Sequence, residues 1–241
     1  MKHIQYWPVV AAAVVTMVLA AGCGGGSGKP AGAATAAGMP ASPAVSVSPP
    51  PAMATLVKQV KSAVRHATSL RISADFTQDG KHVVTTASLN RAGDLDALVT
   101  VDNVSLTVLI TQGRDYIKVT PAFLKLAHLP SGCAQVCGKY ARISARDARS
   151  VTGGLSWSSL VAPPHQPGRL TYAGTATVNG QPAWKLRKPP GETAYVAARG
   201  VPYLLRVTKP IGRIDYTQWN HATIPPPPPA SQVVSPSKLS G

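Results

Sequence analysis

The tightest constraint on this chain is a hydrophobic period of two that recurs in stretches broken by turn dipeptides. Leu70, Ile72, Ala74 and Phe76 alternate with Arg71, Ser73, Asp75 and Thr77, and Asp79-Gly80 follows. Such alternation places apolar side chains on one face of a strand, and Asp-Gly is a two-residue hairpin signal. Residues 82–90, 95–102, 104–112 and 116–119 continue as strands, with turns at Ala92-Gly93-Asp94, Asp102-Asn103 and Gly113-Arg114-Asp115. The pattern predicts a five-strand antiparallel meander. It resumes over 169–178, turns at Asn179-Gly180, and runs on through 182–187, 193–198, 203–208 and 213–219.

Helical spacing brackets the first meander. Leu56, Val57, Val60, Ala63, Val64 and Ala67 recur every three or four residues, predicting a helix over 54–68. Pro121 is suited to the first turn of a short apolar helix over 122–129. Residues 139–143 are extended, Ser144 can cap a helix over 145–151 that Gly153-Gly154 ends, and 156–161 form another helical turn carrying Trp157. An antiparallel sheet of about ten strands should curl, and these helices are the available cover for its concave face. The expected fold is α+β.

The N-terminus bears on location. Lys2 precedes an apolar run from Trp7 to Ala21, shorter than the ~20 residues a spanning helix needs. It ends in Leu19-Ala20-Ala21-Gly22-Cys23, which resembles a bacterial lipobox. Residues 1–22 are thus expected to be an export signal and Cys23 the acylated first residue of the mature protein. The bland reading is an ordinary signal peptide with an incidental cysteine. Residues 23–53, rich in Gly, Ala, Pro and Ser, show no hydrophobic period and are expected to be a disordered tether. Residues 54–224 have the length of one domain, and 225–241 are expected to be a Pro-rich tail, disordered over its last dozen residues. The expected location is the extracytoplasmic face of the cell membrane.

All nine acidic residues and 21 of the 24 Lys and Arg lie within 54–224, and the chain's formal charge is +15. A basic surface in that compartment meets anionic headgroups and acidic envelope polymers, and nucleic acid is not an expected partner. The bland reading is a solvated surface of high pI. With Cys23 assigned to lipid, Cys133 and Cys137 remain, and an oxidising compartment predicts a disulfide between them. The rival reading, zinc held by these two with His128, lacks a fourth ligand at usable spacing.

No catalytic constellation is legible. Glu192 is the only glutamate, and Asp94 and Asp96 flank a turn. Gly154-Leu155-Ser156-Trp157-Ser158 misses the last position of a nucleophile elbow, and the histidines are scattered. The chain is expected to be no enzyme, with no cofactor and no metal.

Several segments resemble one family. Gly191 to Thr208, GETAYVAARGVPYLLRVT, looks like the C-terminal signature of the actinobacterial LppX/LprG-type lipoproteins. Thr177 to Ala183 resembles that family's "vNGxPA" hairpin, Asp115 to Lys118 its "xYvK" strand, and Gly138 to Ile143 its "GKWvKv" stretch, with Tyr140 in place of tryptophan. Tyr216 to Asn220 and Pro229 to Val234 resemble its closing strand and tail. The resemblance spans about 54 to 234. It implies a LolA/LolB-like half-barrel wrapped against helices, whose cavity holds acyl chains of envelope lipids.

The strand faces suggest where such a cavity lies. Leu106, Val108 and Ile110 share one face of their strand, and Leu95, Ala97, Val99 and Val101 one face of the preceding strand. Together with Phe76 these rows are the candidate wall, faced by Phe123 and Leu124 from the short helix. Trp157 is a candidate for the cavity mouth, with core packing as its alternative; core packing is the reading for Trp184. Two functions remain open: a membrane-tethered carrier of a hydrophobic lipid, or a filled-core interaction protein whose basic surface grips an acidic polymer or membrane-protein partner.

Overall fold

A computed structural model describes residues 48–129, 132–161, 170–235 and 238–239. The expected signal, Cys23 and the tether up to residue 47 lie outside the described residues. Helix α1 (Met53–His66) leads into strands β1 (Ser69–Gln78), β2 (Lys81–Asn90), β3 (Leu95–Val101), β4 (Val104–Thr111) and β5 (Arg114–Lys118). Helices α2 (Pro121–Leu126) and α3 (Cys133–Val136), strand β6 (Tyr140–Arg142), and helices α4 (Ala145–Val151) and α5 (Trp157–Val161) follow. Strands β7 (Thr171–Val178), β8 (Gln181–Lys188), β9 (Glu192–Ala197), β10 (Leu204–Lys209), β11 (Gly212–Thr217) and β12 (Val233–Val234) complete one sheet.

The sheet order is β12-β6-β5-β4-β3-β2-β1-β11-β10-β9-β8-β7. Two meanders, β1–β5 and β7–β11, are welded where β1 pairs with β11, Ile72 opposite Tyr216 and Ala74 opposite Ile214. All these pairings are antiparallel except that of β12 with β6. The edges β12 and β7 do not pair with each other, so the sheet is curled and unclosed. This is the α+β architecture expected, with β6 and β12 added to the ten principal strands.

The turns follow from their residues. Asp79 and Gly80 have φ of 51° and 74°, and Asn179 and Gly180 have 50° and 75°. Two successive positive φ values define the type I′ turn, whose twist matches that of the flanking strands. The β4–β5 turn falls at Gln112-Gly113 (φ 51° and 70°), one residue before the position read from the sequence. Gln112 fits there because its N–H donates to Asp94 Oδ1 at 2.9 Å, an acceptor from a neighbouring turn.

Helices α2 and α4 are capped by side chains. Phe123 N–H donates to Thr120 Oγ1 at 3.1 Å with Pro121 in the first turn, and Asp147 N–H donates to Ser144 Oγ at 3.1 Å. At the C-terminus of α1, Arg91 places its guanidinium on the carbonyls of Val64 and Arg65. A cation there offsets the negative end of the helix dipole.

The C-terminal tail departs from expectation. Ala230–Gln232 form a 3₁₀ turn, β12 pairs with β6, and Val234 and Leu239 are buried in the core. Six strands separate β11 from β12, a span of roughly 33 Å at the usual strand spacing. Pro225–Pro229 can cover about 15 Å of it as a stiff extended segment. The prolines carry the chain across the sheet instead of ending the fold.

Candidate functional site

Cross-strand register shows which side chains share the concave face. Ile72, Ala87, Ala97, Val108, Ile117 and Ala141 stand opposite one another in turn across β1 to β6. The candidate wall belongs to this face. Leu95 pairs with Ile110, Ala97 with Val108, Val99 with Leu106 and Val101 with Val104, and Phe76 joins them through Val83. Phe123 and Leu124 of α2 pack on the same face, in one cluster with Leu106 and Val108.

Burial divides these residues. Val108 is 0% exposed, and Leu106, Val99, Phe123 and Leu124 are each 5% exposed. Phe76, Val101 and Ile110 are only partly buried. The central part of the wall is therefore covered by side chains of α2, α3 and α4, while Phe76 and Val101 at its rim are partly exposed. The other half of the face is covered by α1: Leu56 and Val57 pack on Leu170, Leu186 and Val196, and Val64 on Leu70 and Ile72.

Cys133 and Cys137 form a disulfide with Cα atoms 4.7 Å apart, spanning the single turn of α3. The bond holds Val136 in the cluster beneath α2, and both cysteines pack against that cluster. With their sulfurs joined, neither offers zinc a thiolate, so the rival ligand set does not form. Among the described residues no three His, Cys, Asp or Glu side chains gather as a metal site.

The acidic pair beside the β2–β3 turn separates into two roles. Asp94 accepts from Asn90 Nδ2 at 2.8 Å and from the Gln112 N–H, so it organises turns. Asp96 lies on the convex face, where burial pushes its carboxyl above the ordinary value and Arg71 partly offsets the rise. Burial also raises Asp115, against the opposing charges of Arg149 and Arg142.

Four aromatics that the sequence pattern did not bring together meet where α1 and α5 approach β10 and β11. The Trp219 ring stacks on Tyr203 at 4.7 Å between centroids and on Tyr216 at 6.2 Å, and Trp157 meets it edge-on at 6.4 Å. Arg91 lies 5.9 Å over Trp157. Trp157 is thus a partly buried member of the core cluster. Burial drives the Tyr216 hydroxyl well above its ordinary range, and the charge of Glu192 adds to the rise.

Trp184 also has a role the sequence did not reveal. It packs against Leu56, Leu186 and Val196, as core packing requires, but its indole N–H donates to the Ser48 carbonyl at 2.9 Å. It also borders an open groove of about 500 Å³, with Pro51, Ser62, Ala63, His66 and Pro202 among the other lining residues. This groove lies beside α1, away from the candidate wall. Among the described residues no helix is long and apolar enough to cross a membrane.

No family model matches the chain, and no curated protein matches it. Among solved structures it is similar to the crystal structure of LprF from Mycobacterium bovis, at 13% identity and a TM-score of 0.44, over 72% of this chain and 95% of that one. It is also similar to MucB in complex with MucA(peri), at 15% identity and a TM-score of 0.35, over 76% of this chain and 62% of that one. The MucA/MucB complex of Pseudomonas aeruginosa gives 13% identity and a TM-score of 0.31, with 77% and 62% covered. The chain spans under two thirds of the MucB chains. At these low scores the fold rests on the sheet order itself.

Proposed function

We propose that this chain is a cell-envelope lipoprotein, anchored through Cys23, that shelters the acyl chains of a lipid or lipidated molecule against the concave face of its sheet. The observation that carries this reading is the construction of that face. Over β3 to β6 it is apolar except for Asp115, which stands opposite Ile110 at one end, and its cover is α2, α3 and α4, helices of six, four and seven residues. Such short helices hold little structure without tertiary contacts, so acyl chains can replace side chains beneath them. Burying alkyl surface contributes roughly 0.8 kcal/mol per methylene, enough for a long chain to compete with that cover. The chemistry is binding, without a catalytic step.

A second reading has its own support. Val108 at 0% and Leu106 at 5% exposure are already packed by protein, as a filled-core interaction protein would have them. Titration with a fluorescent fatty-acyl probe separates the two. Saturable uptake by wild type, reduced in a folded Val99→Trp variant, supports the carrier; no uptake by wild type supports the filled core.

A further inference from the structure

Two neighbouring turns at one end of the sheet are built alike. The β8–β9 turn reads Lys188-Pro189-Pro190-Gly191 and the β10–β11 turn Lys209-Pro210-Ile211-Gly212. They lean on each other, since a Cβ on Gly191 would lie 3.2 Å from Pro210 Cγ. Pro189, Pro190 and Pro210 are exposed, and Ile211 is 58% exposed, more than any other large apolar residue described. The Ile211 side chain belongs to none of the core clusters.

Cations surround this apolar tip. Lys188 and Lys209 begin the two turns, and Arg187 and Arg213 stand beside them. Carboxylates are fewer: Glu192 lies 3.8 Å from Lys188, Asp215 is shared by Arg206 at 2.5 Å and Arg213 at 3.5 Å, and Asp75, opposite Arg213, is paired with His82 at 2.8 Å. Asp79 and Asp102 belong to the β1–β2 and β3–β4 turns, so the basic, apolar edge is confined to the β8–β11 half. The tip is also continuous with the concave face. Gly212 stands opposite Phe76, and the row runs on through Val83 and Val101 to Val104, which is 39% exposed.

We propose that the paired tip docks on an anionic bilayer surface, with Ile211 and the prolines at the headgroup boundary and Lys209 and Arg187 over the phosphates. This rests on the reading of the chain as a tethered lipid carrier and names the place where it meets its membrane. A small apolar knob ringed by cations suits a headgroup layer, where apolar insertion and charge attraction act together. The stretch from Cys23 to Ser48 reaches up to roughly 80 Å when extended, ample for the tip to reach the membrane holding the anchor. Lipid taken up at this edge would meet the apolar row beginning at Phe76.

The test uses the chain from residue 23 with Cys23→Ser, which contains every described element and can carry no anchor. Vesicles of phosphatidylcholine containing phosphatidylglycerol should bind it, and pure phosphatidylcholine vesicles should not. Lys209→Glu with Ile211→Ser should weaken binding about tenfold or more. Val201→Ser, at a comparably exposed site at the opposite end of the sheet, should leave it unchanged. No binding by the parent chain, or equal binding by the double variant, overturns the proposal. Uptake of a water-soluble acyl probe is scored on the same samples. Tip-dependent docking without any probe uptake upholds the docking surface and removes the acyl-binding reading.

Discussion

At the residue scale, Gly212 is the position with least latitude. Its φ is 152°, and an added Cβ would overlap the Asp75 carbonyl and the Phe76 backbone and Cβ, which are not free to move within a paired strand. Gly212→Ala is therefore expected to cost about 2–3 kcal/mol or more, read as a fall in the urea midpoint; an unchanged midpoint would contradict the β1–β11 register. Asp96 acts in the opposite sense. Its folded-state pKa lies above the ordinary 3.8, so the folded protein favours the protonated form. That contribution is present below the ordinary value and is lost as pH rises through the interval above it. Asp96→Asn should raise Tm at neutral pH, and the gain should vanish near pH 3, where the wild-type carboxyl is protonated. A gain that persists at low pH would point to packing. The conformations of Asp79-Gly80 and Asn179-Gly180 were legible in the sequence because a dipeptide sets them. The perturbation of Asp96 was not, because it depends on burial, which Arg71 from another strand partly offsets.

At the element scale, both meanders and the capped short helices follow from local rules: alternation, turn chemistry and cap residues. What local rules miss is pairing across a large sequence separation. Nothing in residues 69–78 or 212–217 announces that β1 and β11 join the two meanders, and nothing near Pro225–Pro229 announces a strand beyond them. The two-residue β12 is too short for periodicity to reveal. It nevertheless covers the edge of β6 and buries Val234 beside Ala141. Truncation after Pro229 removes Val234 and Leu239 from the core and is expected to cost about 3–5 kcal/mol. Amide exchange at Tyr140–Arg142 should accelerate with it. Exchange there that stays as slow as in wild type would show that β6 does not depend on β12. The disulfide is a lesser support, because the loop it closes is short: Cys133→Ser with Cys137→Ser is expected to lower stability by about 2 kcal/mol, with the fold retained.

At the scale of the whole molecule, an open twelve-stranded sheet divides its concave face between two kinds of cover. One half is closed by the single fourteen-residue helix α1, whose C-terminus Arg91 holds. The other is closed by helices of four to seven residues, one of them pinned across its own single turn by a disulfide. The division follows from the sequence, since among the described residues only 53–66 have an apolar stripe long enough to make a stable helix. The candidate wall was legible as a face, because period two fixes which residues point together. The short helices were legible as its cover, with Phe123 and Leu124 facing the wall; how deeply these two and Val136 sink was not, because that is settled by packing among segments far apart in the chain. The central claim is that acyl chains lodge under this lighter cover. Native mass spectrometry of protein extracted from the cell envelope, compared with the same sample after denaturation, tests it most directly. The account predicts a native mass exceeding the denatured, Cys23-acylated mass by one lipid, with the excess lost in a folded Val108→Trp variant. Identical native and denatured masses would contradict it.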